Sequence, residues 1–491
     1  MRGVGVVRRL AAPAIFALAL VACAAALMPS PVSAQLVETD LGTIGIATLE
    51  TLQPSLVFRP LDMTGVRASA VGHGMGGAYV GEATDLQAIS WNPAGLGWLQ
   101  RPNVTGDLRW IRSSGSTSGY PDTFNIPNSP LLAVQRYDVN LKSNLRGNML
   151  GAGISGELLG RPVAGAISFR RYLDTSYPEE IVSDLVFGEG LAFPVTLAVD
   201  GKEEGGVDAA SASAAAQLIP DVVSVGANLN YLTGRLSSKI ESIVATGGAN
   251  SAGGYLKTRY RYRGISADLG IQARRPNFGG IGVRFTPGYT VEVTGGRLDY
   301  LVLSAPGAPQ QRIFGRIAGY DMDVPALLSI GGWFQPIPQV RVAVEVNRQN
   351  WSETKIEYRE DFLGMESNPS LPLRDVTSFH IGAEGRWLRF KQIDLPLRIG
   401  YHRGPLSVAK LNGGPDPDQW AGGDIDTDSF TFGLGFETGN LRYDVAYEIV
   451  DYKLRKFYYE SPGDPFINPQ STVVDVDRRV AMLRLTAGLS L

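Results

Sequence analysis

The chain has 491 residues, a formal net charge of −3 and a sequence pI near 5.8, so it offers no basic footprint for nucleic acid. A single cysteine, Cys23, excludes disulfide scaffolds and thiolate metal sites, and three histidines (His73, His380 and His402) lie too far apart in sequence to suggest a metal centre. Apolar residues make up 44% of the chain at a mean hydropathy of −0.01, and beyond the N-terminal region no run is long enough for a spanning helix, which leaves alternating strands as the way to cross a membrane.

Residues 1–34 read as a secretory signal peptide: Arg2, Arg8 and Arg9 form the positive start, Leu10 to Leu27 the apolar stretch, and Val32-Ser33-Ala34 the cleavage site. Leu20-Val21-Ala22-Cys23 is a rival lipobox that would place a lipid on Cys23. Cleavage after Ala34 would start the mature chain at Gln35. Residues 35–102 alternate poorly and are glycine-rich. Within them Gly72, Gly74 and Gly77 spell a dinucleotide-binding pattern, but no strand–turn–helix context surrounds it, so no nucleotide or other cofactor is expected.

From residue 103 onward, polar and apolar residues alternate with period two. Val340, Val342, Val344 and Val346 share one face and Arg341, Ala343, Glu345 and Asn347 the other; Leu441 to Ile449 repeats the pattern. Fourteen strands are predicted, over 103–112, 147–158, 163–171, 206–218, 222–235, 258–274, 280–296, 325–335, 340–350, 377–387, 395–402, 429–437, 441–453 and 478–491. Six short turns alternate with long connectors of about 20–35 residues, far above the usual length. Short turns on one side and long loops on the other are the plan of an outer-membrane barrel. The predicted fold class is therefore all-β, a fourteen-stranded antiparallel transmembrane β-barrel over 103–491. Trp110, Tyr231, Trp387, Tyr401 and Tyr447 fall at strand ends with outward parity, as interfacial girdles do.

Inward parity gathers many charges, among them Asp107, Arg284, Glu384, Glu448 and Arg484. Arg341 with Glu345 and Arg442 with Asp444 are same-strand neighbours of suitable sign. Arg341, Arg398 and Arg442 are the candidates for a ligand carboxylate, since a guanidinium can hold one bidentately. Ser378 and His380 share a face, but their backbones are ~7 Å apart, which argues against a hydrolytic pair and against an enzyme. Asp424, Asp426 and Asp428 open like a calcium loop, yet Ser429 and Gly435 stand where Gly and Glu are required, so no metal is expected.

The segment Gly76-Gly77-Ala78-Tyr79, then Asp85, then Trp91-Asn92-Pro93-Ala94-Gly95-Leu96 resembles the plug of the FadL/TodX-type outer-membrane transporters. Pro325 to Gly331, Val340 to Glu345 with Trp351-Ser352, Phe379 to Glu384 and Tyr443 to Tyr447 resemble strands of that family. The resemblance implies that residues 35–102 fold inward as a hatch, with Gly76, Gly77, Asp85, Trp91, Asn92, Pro93, Ala94 and Gly95 as hatch and gating residues. It implies passive, ligand-gated passage of a hydrophobic small molecule, such as a long-chain fatty acid, across a Gram-negative-type outer membrane. Its partners would be outer-membrane lipid and the barrel-assembly machinery. Two other readings remain: a PorV-like barrel serving as a type IX secretion shuttle, whose N-terminal segment is similar, and a structural or adhesive barrel without cargo.

Overall fold

The computed structural model describes residues 67–118, 124–125, 132–141, 144–174, 179–187, 195–246, 251–303, 311–317, 319–358, 375–390, 393–405, 426–457 and 473–491. The expected signal peptide, the Cys23 lipobox, the lead up to residue 66 and Asp424 lie outside the described residues.

The strands are β1 (Asn103–Ser118), β2 (Phe124–Asn125), β3 (Leu132–Leu141), β4 (Asn144–Leu158), β5 (Arg161–Asp174), β6 (Glu179–Phe187), β7 (Val195–Ile219), β8 (Val223–Thr246), β9 (Ser251–Arg275), β10 (Gly279–Thr286) and β11 (Tyr289–Leu303). They continue with β12 (Gln311–Ile317), β13 (Tyr320–Val324), β14 (Leu327–Ile337), β15 (Val340–Gln349), β16 (Ile356–Tyr358), β17 (Val376–Phe390), β18 (Ile393–Pro405), β19 (Asp426–Thr438), β20 (Leu441–Phe457) and β21 (Val473–Ser490). All pair antiparallel. Around the wall run β1, β4, β5, β7, β8, β9, then β10 with β11, β14 with β13, and β15, β17, β18, β19, β20 and β21, which makes a fourteen-stranded closed barrel. Closure is direct: β1 meets β21 from Asn103 opposite Ser490 to Ser118 opposite Asp475. Closure leaves the sheet without an edge, as a bilayer demands.

Each expected strand is present, with three differences. Beyond the long-loop end the strands run further than alternation indicates. Thus β8 and β9 pair out to Ala245 opposite Ser251, and the connector there shrinks to residues 247–250. The expected strand over 280–296 is two strands, because Pro287 has no N–H for the ladder. The next strand starts at Leu327 rather than residue 325, since Pro325 interrupts it opposite that break: Thr286 faces Leu327, and Tyr289 faces Val324.

The facing follows the expected parity. On β15, Val344 and Val346 are 44% and 43% exposed, whereas Ala343, Glu345 and Asn347 are at most 2% exposed. Val344→Arg is therefore expected to impair barrel assembly by putting a guanidinium into lipid at a cost of ~2–4 kcal/mol, while Val344→Leu is tolerated. Heat-modifiable gel mobility of the two variants checks this; equal folding of both would reverse the face assigned to β15.

Candidate functional site

Residues 67–99 sit inside the barrel. From Arg67 to Trp98 every residue is buried except Thr84 and Asp85. Helix α1 (Ala70–Gly74) starts on Ser69, whose hydroxyl accepts from the Gly72 N–H, and α2 (Ala88–Trp91) runs into a 3-10 turn over Pro93–Trp98. Asn92 starts that turn: its Oδ1 accepts from the Ala94 N–H and Pro93 occupies the first position, where no N–H is needed. Trp91 anchors the segment, donating its indole N–H to the Ala68 carbonyl at 2.6 Å with the Arg67 guanidinium 4.9 Å over its ring. Val71, Val80, Leu86, Ile89 and Leu96 pack with it against Met149, Ala164, Ala166 and Ala215 of the wall.

The wall receives this segment with glycine. Inward-pointing Gly226, Gly270, Gly282, Gly382 and Gly400 lie on β8, β9, β10, β17 and β18. A Cβ on Gly400 would meet the Gly76 nitrogen at 2.1 Å, one on Gly382 the Met75 carbonyl at 2.3 Å, and one on Gly226 the Pro93 carbonyl carbon at 2.4 Å. Backbone thus rests directly on barrel wall. Gly76 and Gly77 make the matching approach from the segment side, at φ 65° and 82°, where a side chain would be strained. Gly95 turns against the Ala83 carbonyl.

Three charged groups of contacts tie segment to wall. At the short-turn end, Arg341 pairs with Glu82 and lies 4.0 Å from Glu384. Arg442 reaches Asp444 at 2.7 Å and Asp85 at 3.6 Å, and Arg398, fully buried, reaches Glu384 at 2.7 Å and Asp444 at 2.8 Å. The three candidate arginines therefore converge, and each is committed to acids. The expected pair of Arg442 and Asp444 forms; that of Arg341 and Glu345 does not. Glu345 instead holds Arg67 at 3.1 Å and accepts the Tyr79 and Val80 N–H groups. Higher in the lumen, Arg284 donates to the Ser90 carbonyl of the segment at 3.0 Å and is held by Asp268 at 2.7 Å, which also accepts Thr286 at 2.6 Å and has Arg170 at 3.8 Å.

The histidines, scattered in sequence, meet in space. His73 faces Glu448, His402 reaches the same carboxylate, and the His380 and His402 rings stack at 5.1 Å. Ser378 Oγ and His380 Nε2 are 2.9 Å apart, so the ~7 Å between their backbones does not keep the side chains from bonding. The imidazole leans along the strand and closes a gap that backbone spacing leaves open. His380 Nδ1 is held by the Gly76 carbonyl, and both side chains are buried beneath the segment. Sequence reasoning missed this cluster, although inward parity and the direct pairing of His380 with His402 across β17 and β18 encode it.

On the long-loop side the inner wall turns apolar. Along β8, Ser224 and Asn228 touch the segment through the Ala94 and Ile89 carbonyls, while Leu232 and Leu236 stand about 30–45 Å along the strand from the turn. They join Tyr172, Val207, Tyr262, Val293, Val324 and Trp351 in one buried cluster, with Tyr289 and Tyr320 beside it. Between this cluster and the segment lies a cavity of about 20 Å³, lined by Arg67, Ser90, Arg170, Tyr172, Arg284, Thr286, Tyr289, Leu327 and Gln349. It has room for about one water. Arg170 is 4% exposed, and its Nε has no hydrogen-bond partner among the described residues.

No family model and no curated protein matches the chain in sequence. Solved structures do resemble it. A Pseudomonas aeruginosa FadL homologue is 13% identical with a TM-score of 0.53, over 88% of this chain and 99% of that one. The P. putida toluene transporter TodX is 12% identical with a TM-score of 0.53, over 87% and 99%. The CymD monoaromatic hydrocarbon channel is 16% identical with a TM-score of 0.52, over 88% and 99%. The chain has the fold of these FadL-type channels and transporters.

Proposed function

We propose that the protein is an outer-membrane transporter that passes hydrophobic molecules carrying an acidic head, such as long-chain fatty acids, through a barrel gated by residues 67–102. The observation that carries the reading is the divided lumen. On the long-loop side the interior is a buried apolar, aromatic cluster, and beneath it lies the cavity beside which Arg67, Arg170 and Arg284 outnumber Asp268 and Glu345. An apolar chain suits the upper half and a carboxylate suits an excess guanidinium. Arg170, with its unpartnered Nε, is the residue assigned to it. At about 20 Å³ the cavity is shut, so entry requires the Arg67-bearing segment to move, and Gly76, Gly77, Asp85, Trp91, Asn92, Pro93, Ala94 and Gly95 are assigned to that hatch. Arg341, through Glu82, and Arg442, through Asp85, fasten it from below, while Arg398 holds Glu384 and Asp444 in the wall. The structural relatives named for toluene, monoaromatic hydrocarbons and FadL support a hydrophobic cargo.

Solvent extraction and mass spectrometry of protein purified in mild detergent test the reading. A bound fatty acid supports it; a co-purifying secreted protein favours the PorV-like shuttle; neither favours a structural barrel. Arg170→Met is expected to weaken binding of a long-chain fatty acid about tenfold or more while leaving toluene binding unchanged, because only the charged head loses a partner. Equal loss for both ligands in equilibrium titrations would remove Arg170 from head-group recognition.

A further inference from the structure

His73, on α1, sets its Nδ1 3.0 Å from Glu448 Oε2 and its Nε2 2.9 Å from the Arg67 carbonyl oxygen. Both partners are acceptors. A neutral imidazole has one N–H and can serve only one of them, so the other contact needs a further proton, on the ring or on the carboxyl group. The rest of the cluster makes no such demand. His380 is satisfied as a neutral ring, its Nδ1–H donating to the Gly76 carbonyl and its Nε2 accepting from Ser378. His402 needs only an Nε2–H to reach Glu448 Oε1 at 2.9 Å, where Ser429 Oγ also donates at 2.9 Å.

We propose that the proton shared by His73 and Glu448 is a pH-sensitive fastener of the hatch. With it, a charge-assisted bridge joins α1 to β20. Without it, the one remaining ring N–H serves either Glu448 or the Arg67 carbonyl, the other nitrogen's lone pair faces an oxygen, and the bridge loses its charge assistance. The inference rests on the reading of residues 67–102 as a hatch. Charged and titratable groups on the hatch and on the surrounding strands set the field around the ring. Glu448 of β20 favours the proton. Arg484 of β21, which donates to the Arg67 carbonyl at 3.0 Å and lies 3.8 Å from Asp107, opposes it. Arg67 opposes it from the hatch, tempered by Glu345 of β15. His402 of β18 is the second titratable ring on the same carboxylate, and His380 of β17 stacks on it. Burial, and then Arg484, hold His73 below the ordinary imidazole value, so as pH rises through that lowered range the charge-assisted tie weakens and the hatch should open more often.

Planar-bilayer recordings of the full-length protein at about pH 5 and about pH 8 read the effect directly. Open-state occupancy is expected to rise about tenfold at the higher pH. His73→Asn places an amide N–H where Nδ1 stands, a donor at every pH, and should give a flat, low profile. His380→Asn keeps a donor toward Gly76 and should retain the response. A chain starting near Gln100 should conduct equally at both pH values. A closed full-length protein without pH response, beside a conducting short chain, would overturn the fastener and leave the hatch standing. Full-length protein conducting like the short chain at both pH values would instead overturn the hatch. A response that survives in His73→Asn, or vanishes in His380→Asn with the barrel folded, would refute the assignment of the proton to His73.

Discussion

A chain starting near Gln100, with a signal sequence restored, is expected to form a barrel and to conduct at least about tenfold more than the full-length protein. The ladder that closes the wall uses only residues from Asn103 onward, through β1 with β21 on one side and β4 on the other. Nothing before Asn103 contributes a strand among the described residues. What the removed segment supplies is filling: Val71, Leu86, Ile89, Trp91 and Leu96 in the lumen, and Arg67 to Glu345. Wall charges that lose a partner gain water instead, which costs far less than an unpaired charge in a dry interior. The pair of Arg398 with Glu384 and Asp444 lies within the wall and survives. The measurement is single-channel conductance, with heat-modifiable mobility confirming a folded barrel. Equal, near-zero conductance from both folded proteins would show that residues 67–99 do not block the path.

The wall was legible because lipid imposes a rule at every second residue. Val344 out and Glu345 in are separated by a cost of several kcal/mol, and β15 records that choice. The rule ends with the bilayer. Past Tyr260 and Leu236 the strands still pair, Ser237 opposite Arg259 and Lys239 opposite Lys257, but the face that lipid keeps apolar lower down is polar there. Strand ends toward the long loops were therefore set too early. Interior partners were the least legible. Arg341 and Glu345 are four residues apart on one strand, about 13 Å, which no direct ion pair spans. Each found a hatch residue more than 250 positions away, a pairing that strand periodicity does not encode. The glycines of the inner wall were visible as glycines, but their use as a seat depends on what lies against them. For the histidines, the register of β17 with β18 was the missing step.

Asn92→Asp is expected to unseat the hatch more than Asn92→Ala does, with the barrel intact in both. Asparagine and aspartate are equal as helix caps, and the Oδ1 contact to the Ala94 N–H would survive in Asn92→Asp. A cap is only half of what Asn92 does. Its amide nitrogen lies 3.0 Å from the Val80 carbonyl, 3.1 Å from that of Ile271 and 3.3 Å from that of Val283, so it joins the hatch to β9 and β10 at a residue with no exposed surface. Alanine removes these bonds at about 1–3 kcal/mol, which lowers the seated population roughly tenfold or more. Aspartate replaces the donor with a charged acceptor facing three carbonyl oxygens, at a fully buried position packed against Gly282 of the wall. Uptake of a hydrophobic ligand should fall in the order wild type, Asn92→Ala, Asn92→Asp, and open-state occupancy in bilayers should rise in the same order. If Asn92→Asp matches wild type in both, Asn92 serves only to start the turn at Pro93, and the tie to β9 and β10 contributes nothing to holding the hatch.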